Sequence, residues 1–466
     1  MKIKKKRKVP GWSRASASIC DVWYPGCLDE SMQVLDYAIR NKLNICPLGS
    51  GNSYGDEFQN KNNIVVNTSS MNKILSWDLN TGIMLVEPGV TLQQILRICL
   101  KDNWVLPVIP GTRFPTVGGA TANNVHGKNS YIVGNFGDWV IEFDILIAKN
   151  KIVTCSRNQN TDLFCAAIGG LGMLGLFTSI KLQLKKIPSV NVLVKKWTVQ
   201  NTKIMIEDIF EATKNSEYVI SQIDCFADGK NLGRGTIHSA SFIDQKQSNN
   251  DYLEDLKISN RIFSIIPTSW ILGFGKICMS NVTMRTISTL KYYTDYLFSS
   301  NRGIVESFPS FNFLIDRIPD WPKVFKHGFY ELEPLIPIEN ANKVIEEILT
   351  ISHWYKMPPY LSGIKLHKKD NFLLSYSLNG FSVGFDFPVL PHKAEMQKEM
   401  FFKIHEIVTD NNGIIYLAKD NLVTPEHFKL MYNDRIDEFL TIKKQYDPNM
   451  LFQSNIFRRL FINLKN

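Results

Sequence analysis

The chain has 466 residues and a net charge of +9, with 44% hydrophobic and 21% charged residues. That length exceeds a single ordinary hydrophobic core and favours two domains, and no region is depleted enough in apolar residues to predict a long disordered tail. Six positive charges lie in the first eight residues, at Lys2, Lys4, Lys5, Lys6, Arg7 and Lys8. A second basic stripe with interleaved aromatic residues does not follow, so nucleic-acid binding is not expected.

The basic N-terminus and the cysteines bear on location. We interpret residues 1–10 as a solvated, disordered tail, with contact to anionic lipid as the alternative. The eight cysteines form neither a Cys-x-x-Cys pair nor a cysteine–histidine cluster with metal-ligand spacing, so we expect no metal site. In the absence of a secretory signal peptide we expect reduced thiols and a cytoplasmic protein, peripheral at the inner face of the membrane if the tail binds lipid.

Short β-branched runs and glycine-rich turns alternate over the first 185 residues. Thr91 is a typical N-cap for a helix that carries Leu92, Ile95, Leu96 and Cys99 on one face. Strands are predicted at 64–66, at 83–86, and at 144–147 and 151–154, the last two paired across a turn at Asn150.

Two apolar stretches invite a membrane interpretation. Residues 163–180 are uncharged, but four glycines between Gly169 and Gly175 interrupt them, so we predict a buried glycine-rich turn followed by a strand. Residues 262–275 contain Pro267 and are too short to span a bilayer. We interpret them as a lid or as a surface that touches a membrane.

The sequence pattern changes after Lys186, where longer segments that are richer in aromatic residues begin. An amphipathic helix is predicted near 338–351, and strands near 361–366 and 381–387. From about residue 412 the chain returns to short motifs that end in Tyr446-Asp447-Pro448. This order predicts a domain that is split in sequence, with a second domain inserted before its last segment.

Three glycine-rich elements stand out as candidate binding loops. Residues 49–56 read Gly-Ser-Gly-Asn-Ser-Tyr-Gly-Asp, residues 110–120 form a second loop of phosphate size, and His126-Gly127-Lys128-Asn129 follows. Bare backbone allows successive N–H groups to curl around a pyrophosphate. The first loop lacks the Gly-x-Gly-x-x-Gly that opens a Rossmann helix. Each element alone is weak evidence for a cofactor site, and the three together are far more specific.

The run from Gly49 to Gly175 resembles the FAD-binding domain of vanillyl-alcohol-oxidase-type flavoproteins, the PCMH-type domain. Within that family the chain looks most like the oxidase subunits of decaprenylphosphoryl-β-D-ribose 2′-epimerases. The resemblance covers nearly the whole chain. It includes Gly11-Trp12-Ser13-Arg14, Leu232-Gly233-Arg234, Tyr416-Leu417-Ala418-Lys419-Asp420, Asp447-Pro448 and Arg458-Arg459-Leu460.

The resemblance implies an α+β fold: a two-part FAD-binding domain with an inserted α+β substrate domain built on an antiparallel sheet. The implied parts are a basic tail at 1–10, the FAD-binding domain at 11–187, the substrate domain at 188–411 and a returning segment at 412–466. Related oxidases attach FAD covalently through a histidine just before the loop serine. Asn52 occupies that position, so we expect a non-covalent flavin. The implied cofactor-binding residues are Gly49, Ser50, Gly51, Asn52, Ser53, Gly111, Thr112, Thr116, Gly118, Gly119, Ala120, Asn123, His126, Gly127, Asn129, Gly175, Leu176 and Tyr416.

Lys419 is the residue on which the resemblance bears most strongly, since it implies a place beside flavin and substrate. A cation near the flavin N1 and C2 carbonyl stabilises the negative charge that develops when N5 accepts a hydride. Tyr54 and His126 are the other candidate catalytic groups, and Tyr54, His126 or Lys419 could take the hydroxyl proton.

The inserted domain contains the candidate substrate-binding residues Glu331, Glu333, Lys365, Ser382 and Gly384. Alternation along a strand places both glutamates on one face, where they are either solvated or directed at the pocket. The epimerase oxidases that the chain resembles have amides at these two positions and a cysteine at the position of Gly384. Carboxylates would favour hydroxyl ligands and repel a phosphate, and Lys365 could offset one charge. Ser382, Gly384 and Asp386 share a strand face.

The function that the resemblance implies is oxidation of a secondary hydroxyl on a sugar, most consistently a polyprenyl-phosphoryl pentose, as the first half of an epimerisation. A nicotinamide-dependent reductase partner and peripheral membrane contact are implied by the family alone. A soluble aldonolactone or alditol oxidase that uses O2 is the second enzyme interpretation. A flavin-binding scaffold without turnover is the non-enzyme interpretation.

Overall fold

The computed structural model describes residues 1–244, 256, 261–262, 266–267, 279–318 and 320–462. The predicted lid at 262–275 lies, apart from 262, 266 and 267, outside the described residues. The α-helices are α1 (Leu28–Arg40), α2 (Leu92–Cys99), α3 (Val117–Ala122), α4 (Ser130–Val133), α5 (Thr161–Ala167), α6 (Thr202–Thr213), α7 (Asn281–Leu297), α8 (Phe308–Asn312), α9 (Ala341–Trp354), α10 (Ala394–Asp410), α11 (Pro425–Tyr432), α12 (Asp434–Tyr446) and α13 (Asn455–Phe457).

The strands form four main sheets and two short pairs. They are β1 (Lys2–Pro10), β2 (Ala17–Tyr24), β3 (Ile45–Leu48), β4 (Ile64–Asn67), β5 (Ile74–Asp78), β6 (Ile83–Val86), β7 (Trp104–Val105), β8 (Val140–Ile147), β9 (Lys151–Ser156), β10 (Leu176–Gln183), β11 (Lys185–Lys186), β12 (Asn191–Val199), β13 (Tyr218–Ile223), β14 (Gly235–Phe242), β15 (Arg261–Ile262), β16 (Ile266–Pro267), β17 (Ser300–Ser307), β18 (Phe329–Leu332), β19 (Pro334–Pro337), β20 (Leu361–His367), β21 (Gly380–Pro388) and β22 (Ile414–Ile415).

The first sheet has the order β1-β2-β4-β3. Its edge strand, β1, shows that one prediction about the N-terminus was wrong. Residues 1–10 are not a disordered tail, because Lys2–Pro10 pairs antiparallel with β2. The pairing satisfies backbone hydrogen bonds, while the lysine side chains point mostly into solvent. Lysines along an edge strand also oppose pairing with another chain, so a charged run is compatible with this position.

The second sheet has the order β5-β6-β10-β8-β9 and confirms most of the N-terminal predictions. Thr91 caps α2, and it forms a capping box with Gln94. Strands β8 and β9 pair across a turn in which Asn150 has a φ of 55°. The prediction for 163–180 is correct for β10 but missed α5, which precedes the glycine-rich turn. Among the described residues, the structure contains no helix long and apolar enough to cross a membrane.

The inserted region contributes the other two large sheets. One has the order β13-β14-β12-β17, and the other is built from β18, β19, β20, β21 and β22. The predicted helix near 338–351 is α9, and the predicted strands near 361–366 and 381–387 are β20 and β21. The fold is therefore α+β with antiparallel sheets in the inserted region. The division into domains at 187 and 411 stays a prediction.

The C-terminal segment connects the two halves of the molecule. Strand β22 pairs with β19 in the sheet that carries Glu331. Further along the chain, the Ile45 amide donates to the Leu451 carbonyl at 2.8 Å, beside the strand that leads into the first glycine loop. Lys419 lies between these two attachments, so both sheets determine its position.

Candidate active site

A cavity of about 560 Å³ runs between the glycine-rich loops and the sheets of the inserted region. The loops at 49–54, at 110–119 and at 171–176 contribute one wall. Strands β13, β18, β20 and β21 and helix α7 contribute the opposite wall. The cavity is therefore lined by both parts of the chain that the sequence separates.

The first glycine loop follows β3 and is attached to the segment that carries Lys419. The Tyr54 amide donates to the Ala418 carbonyl at 3.0 Å, and the Trp12 amide donates to the Ser53 carbonyl at 2.8 Å. Gly51 has a φ of 72°, a conformation that favours glycine. A Cβ on Gly49 would lie 2.1 Å from the Thr116 Oγ1, so only glycine allows the first and second loops to touch here.

The second element is partly helical. Thr116 accepts a hydrogen bond from the Gly119 amide and caps the short helix α3, where a continuous loop was predicted. Gly118 is in close contact with Pro88, since a Cβ there would meet the proline Cβ at 2.9 Å. Helix formation turns Ala120 into the core, away from the cavity lining, which corrects its predicted role.

Most of the predicted residues line the cavity, and three do not. Asn129 is buried behind the wall, where its amide donates to the Pro107 carbonyl at 2.8 Å. Ser382 is also buried, and its hydroxyl lies 2.8 Å from the His367 Nε2. Ala120 is the third. The lining includes Gly49, Ser50, Gly51, Asn52, Ser53, Tyr54, Gly111, Thr112, Thr116, Gly118, Gly119, Asn123, His126, Gly127, Gly175, Leu176, Glu331, Glu333, Lys365, Gly384, Tyr416 and Lys419.

His126 lines the cavity and lies against the rings of His367, Tyr376 and Tyr416. Its Nε2 is 3.1 Å from the Glu333 Oε1 and 3.2 Å from the Lys365 Nζ. Burial lowers the pKa of the His126 imidazole to about 4, against the opposing effect of Glu333. The ring is therefore neutral at physiological pH. Tyr416 closes this side, with its hydroxyl donating to the Asn123 carbonyl at 3.0 Å.

Lys419 is held between the two glutamates. Its Nζ lies 2.5 Å from the Glu331 Oε1 and 2.7 Å from the Glu333 Oε2. Both carboxylates are buried, so the alternative of two solvated glutamates is wrong. Burial disfavours the Lys419 cation, but Glu331 and Glu333 outweigh that effect and raise the pKa of Lys419 well above its usual value. Lys419 is therefore a fixed cation.

The two glutamates respond differently to the same surroundings. Burial raises the pKa of Glu331, because the neighbouring Lys419 only partly compensates for lost hydration. Burial also disfavours the Glu333 anion, but Lys419, Lys365 and His126 together hold the pKa of Glu333 well below its usual range. Glu333 is therefore the permanent anion of the site, and Glu331 is the more easily protonated of the two.

Sequence reasoning did not include two acidic residues of the lining. Asp386 lies on β21 directly opposite Glu331, and alternation along the strand already placed it on the face of Gly384. Glu57 follows the first glycine loop, and burial raises the pKa of Glu57 to about 8. Nothing in the sequence around Glu57 indicated that it would be buried.

Part of the cavity lining is apolar. It includes Ile220 and Ile223 from β13 and Met284 and Ile287 from α7. Further apolar residues, Leu314, Ile315, Ile318 and Trp321, come from the segment after α8. The cavity thus combines the charged groups around Lys419 with apolar side chains, and α7 also contributes Ser288, Lys291 and Tyr292 to the lining.

The residues present fit a flavin dinucleotide. The lining contains three stretches of small residues with accessible backbone, suited to a pyrophosphate and a flat ring. Among the described residues, the Asn123 Oδ1 and the His126 Nδ1 are buried without a protein partner, so a ligand could use them. Lys419 lines the same cavity.

Comparison with known proteins agrees with this geometry. Residues 22–156 match the family model of the FAD binding domain, and residues 323–460 match that of D-arabinono-1,4-lactone oxidase. The two matched regions agree with the resemblance to FAD-linked oxidoreductases of the vanillyl-alcohol-oxidase type. It is 27% identical to the decaprenylphosphoryl-beta-D-ribose oxidase of Mycolicibacterium smegmatis over 465 residues, which covers 97% of each chain.

Other relatives in this group match only part of the chain. The putative D-arabinono-1,4-lactone oxidase of Neurospora crassa is 26% identical over 39% of this chain and 32% of its own length. Cytokinin dehydrogenase 3 of Arabidopsis thaliana is 26% identical over 44% of this chain and 38% of its own length. The protein is therefore an FAD-dependent oxidoreductase, since both the domain match and the named relatives are of this class.

Proposed function

We propose that this flavoenzyme oxidises a secondary hydroxyl of a sugar, with a polyprenyl-phosphoryl pentose as the substrate, in the first half of an epimerisation. The observation that carries the proposal is the fixed cation of Lys419 in a cavity that the glycine-rich loops and the apolar side chains of β13, α7 and the segment after α8 also line. Bound FAD would supply the hydride acceptor, and the chain would supply orientation, charge and a proton acceptor.

The residues around Lys419 are suited to binding hydroxyl groups. Glu331 and Glu333 are acceptors for hydroxyl protons, and Tyr54 lies against Lys419, whose Nζ is 5.1 Å from the centre of the tyrosine ring. The glutamates are neutralised by lysines, so they do not give this part of the cavity a large negative field.

The lipid-linked substrate is supported by the apolar lining and by a relative of nearly the same length whose name specifies decaprenylphosphoryl ribose. The second candidate is a soluble aldonolactone or alditol oxidase that uses O2, favoured by the match of residues 323–460. We propose further that a nicotinamide-dependent reductase reduces the keto product, and that the lysines of β1 attach the protein peripherally to anionic membranes.

Turnover and flotation measurements distinguish these candidates. Purified holoprotein is incubated with polyprenyl-phosphoryl pentoses, free pentose phosphates, alditols and aldonolactones, with O2 or an artificial dye as acceptor, and products are identified by mass spectrometry. We expect a keto product from the lipid-linked pentose and flotation with phosphatidylglycerol vesicles. Oxidation of lactones or alditols alone, without flotation, would support the second candidate instead.

We propose that the flavin is non-covalent, because Asn52 and not a histidine lies in the first glycine loop. Acid precipitation of the yellow holoprotein is expected to release the flavin into the supernatant. Flavin that stays with the pellet after washing would contradict the proposal, and a covalent flavoprotein precipitated in parallel is the control.

A further inference from the structure

The proposed oxidation releases a hydroxyl proton, and Lys419 is poorly suited to accept it. Its Nζ already bears its protons, with Glu331 at 2.5 Å and Glu333 at 2.7 Å as partners. An ammonium group has donors only, so it can polarise the substrate oxygen but cannot act as a base. Its role is electrostatic.

His126 and Tyr54 are also poor acceptors. The His126 Nε2 is engaged by Glu333 and Lys365. Its Nδ1 is open to a ligand, but burial makes the imidazole a weak base by lowering its pKa to about 4. Burial raises the pKa of the Tyr54 phenol well above its usual value, so the hydroxyl stays protonated. A carboxylate is therefore the remaining kind of proton acceptor near Lys419.

Two carboxyl groups face each other on neighbouring strands. Glu331 on β18 and Asp386 on β21 are directly opposite in an antiparallel ladder, and both line the cavity. Opposite residues in such a ladder have Cβ atoms roughly 4.5–5.5 Å apart, close enough for two carboxylates to repel each other. Burial, and then the neighbouring Glu331, raise the pKa of Asp386 well above its usual value.

The next position on the same face of β21 is a glycine that lies against the Glu331 carboxylate. Gly384 lies two residues before Asp386 on the same face of β21. A Cβ at this position would come within 3.1 Å of the Glu331 Oε1 and 3.9 Å of the Glu333 Cδ. A larger residue would therefore displace the carboxylate, so Gly384 and Glu331 fit each other.

We propose that Glu331 and Asp386 share one proton and together accept the proton that the substrate hydroxyl loses. This inference rests on the proposed function. The carbinol C–H bond breaks and its electron pair leaves as hydride to the bound FAD, which is reduced. The O–H bond breaks, its electron pair forms the C=O bond of the oxidised product, and the proton joins the carboxyl pair.

The charges around the pair set the sign of its pH dependence. Removing either acid leaves the other without its like-charged neighbour, and in Asp386→Asn the pKa of Glu331 falls because Lys419 remains beside it. The acidic limb of the rate profile then moves to lower pH. The titratable and charged groups that face the pair or adjoin its partners are Tyr54, His126, Glu333, Lys365, His367, Tyr376, Tyr416 and Lys419.

The test measures flavin reduction in anaerobic stopped flow with the best substrate from the panel, from about pH 5 to pH 9, in Asp386→Asn and Glu331→Gln holoenzymes. A positioned base contributes about 100- to 10 000-fold, so we expect both variants to slow reduction at least about 100-fold. In Asp386→Asn the acidic limb also moves to lower pH. Glu339→Gln, at an exposed carboxyl, is the control, and photochemical reduction of the flavin should be unchanged in all variants.

A second readout does not depend on substrate. Infrared titration of the oxidised holoenzyme should show protonated carboxylic acid absorption near neutral pH that Asp386→Asn weakens and Glu339→Gln retains, with Glu57, whose pKa burial raises to about 8, contributing the remainder. Rates within about twofold of the wild-type rate in both variants, with an unmoved acidic limb, would overturn the inference, as would unchanged carboxylic acid absorption in Asp386→Asn. If no compound reduces the wild-type flavin, the proposed function fails, and the infrared absorption alone decides whether the pair shares a proton.

Discussion

Replacing Lys419 with methionine is expected to slow reduction of the flavin by substrate roughly 100- to 1000-fold, the usual cost of removing one group that stabilises developing charge. Glu331 and Glu333 would also lose the cation that contacts both of them, at 2.5 and 2.7 Å. Breaking a buried ion pair on one side costs about 3–5 kcal/mol, so we also expect a lower free energy of unfolding. Stopped-flow reduction and urea unfolding measure the two effects.

Two further variants separate these effects. Combining Lys419→Met with Glu333→Gln removes one of the two carboxylates that lose their contact with Lys419. The double variant should therefore regain part of the free energy of unfolding without regaining the rate of flavin reduction. Lys365→Met removes a second cation near Glu333, since the Lys365 Nζ lies 3.5 Å from the Glu333 Oε1. A rate for Lys419→Met within about threefold of wild type would remove this residue from the chemistry.

Replacing Lys443 with methionine is expected to lower the free energy of unfolding by about 3–5 kcal/mol. The Lys443 Nζ is fully buried, and it donates to the Met173 carbonyl at 2.6 Å and to the Phe452 carbonyl at 2.7 Å. It also pairs with Asp447 at 2.5 Å, and the variant leaves that carboxylate buried without its cation. Because Met173 lies in the loop before Gly175, weaker FAD binding should accompany the loss.

The neighbouring lysine provides a matched control. Lys444 is exposed on the same helix, so Lys444→Met should change the free energy of unfolding by no more than about 0.5 kcal/mol. Urea unfolding and flavin-release temperatures of the two variants are compared directly. Equal stability of the two proteins would show that the buried ion pair makes no net contribution.

Much of the fold follows from local pattern. The cap at Thr91, the hairpin turn at Asn150 and the helix after Ile338 were predictable because each depends on residues within one turn or one strand pair. The N-terminal strand was not predictable in this way. Its lysines indicate solvent exposure, and only the pairing with β2 shows that an exposed edge strand satisfies that preference.

The residues of the site were largely predictable from the sequence, but the contacts between them were not. Glycine spacing indicated the loops, and the family resemblance indicated Lys419, so nearly all predicted residues line one cavity. Alternation placed Glu331 and Glu333 on one face but could not determine whether that face was buried. The contact between Lys419 and Glu331 joins residues 88 positions apart, and the pairing of Glu331 with Asp386 depends on strand register. Neither follows from local sequence.

We propose that FAD in this protein accepts a hydride from a carbinol carbon of a sugar. The most direct test is anaerobic mixing of the holoenzyme with the lipid-linked pentose, the alditols and the lactones, with hydrogen or deuterium at the carbon to be oxidised. We predict bleaching of the oxidised-flavin absorption by the pentose, slowed several-fold by deuterium. A flavin that stays oxidised with every compound, or that is bleached at the same rate with deuterium, would contradict the claim.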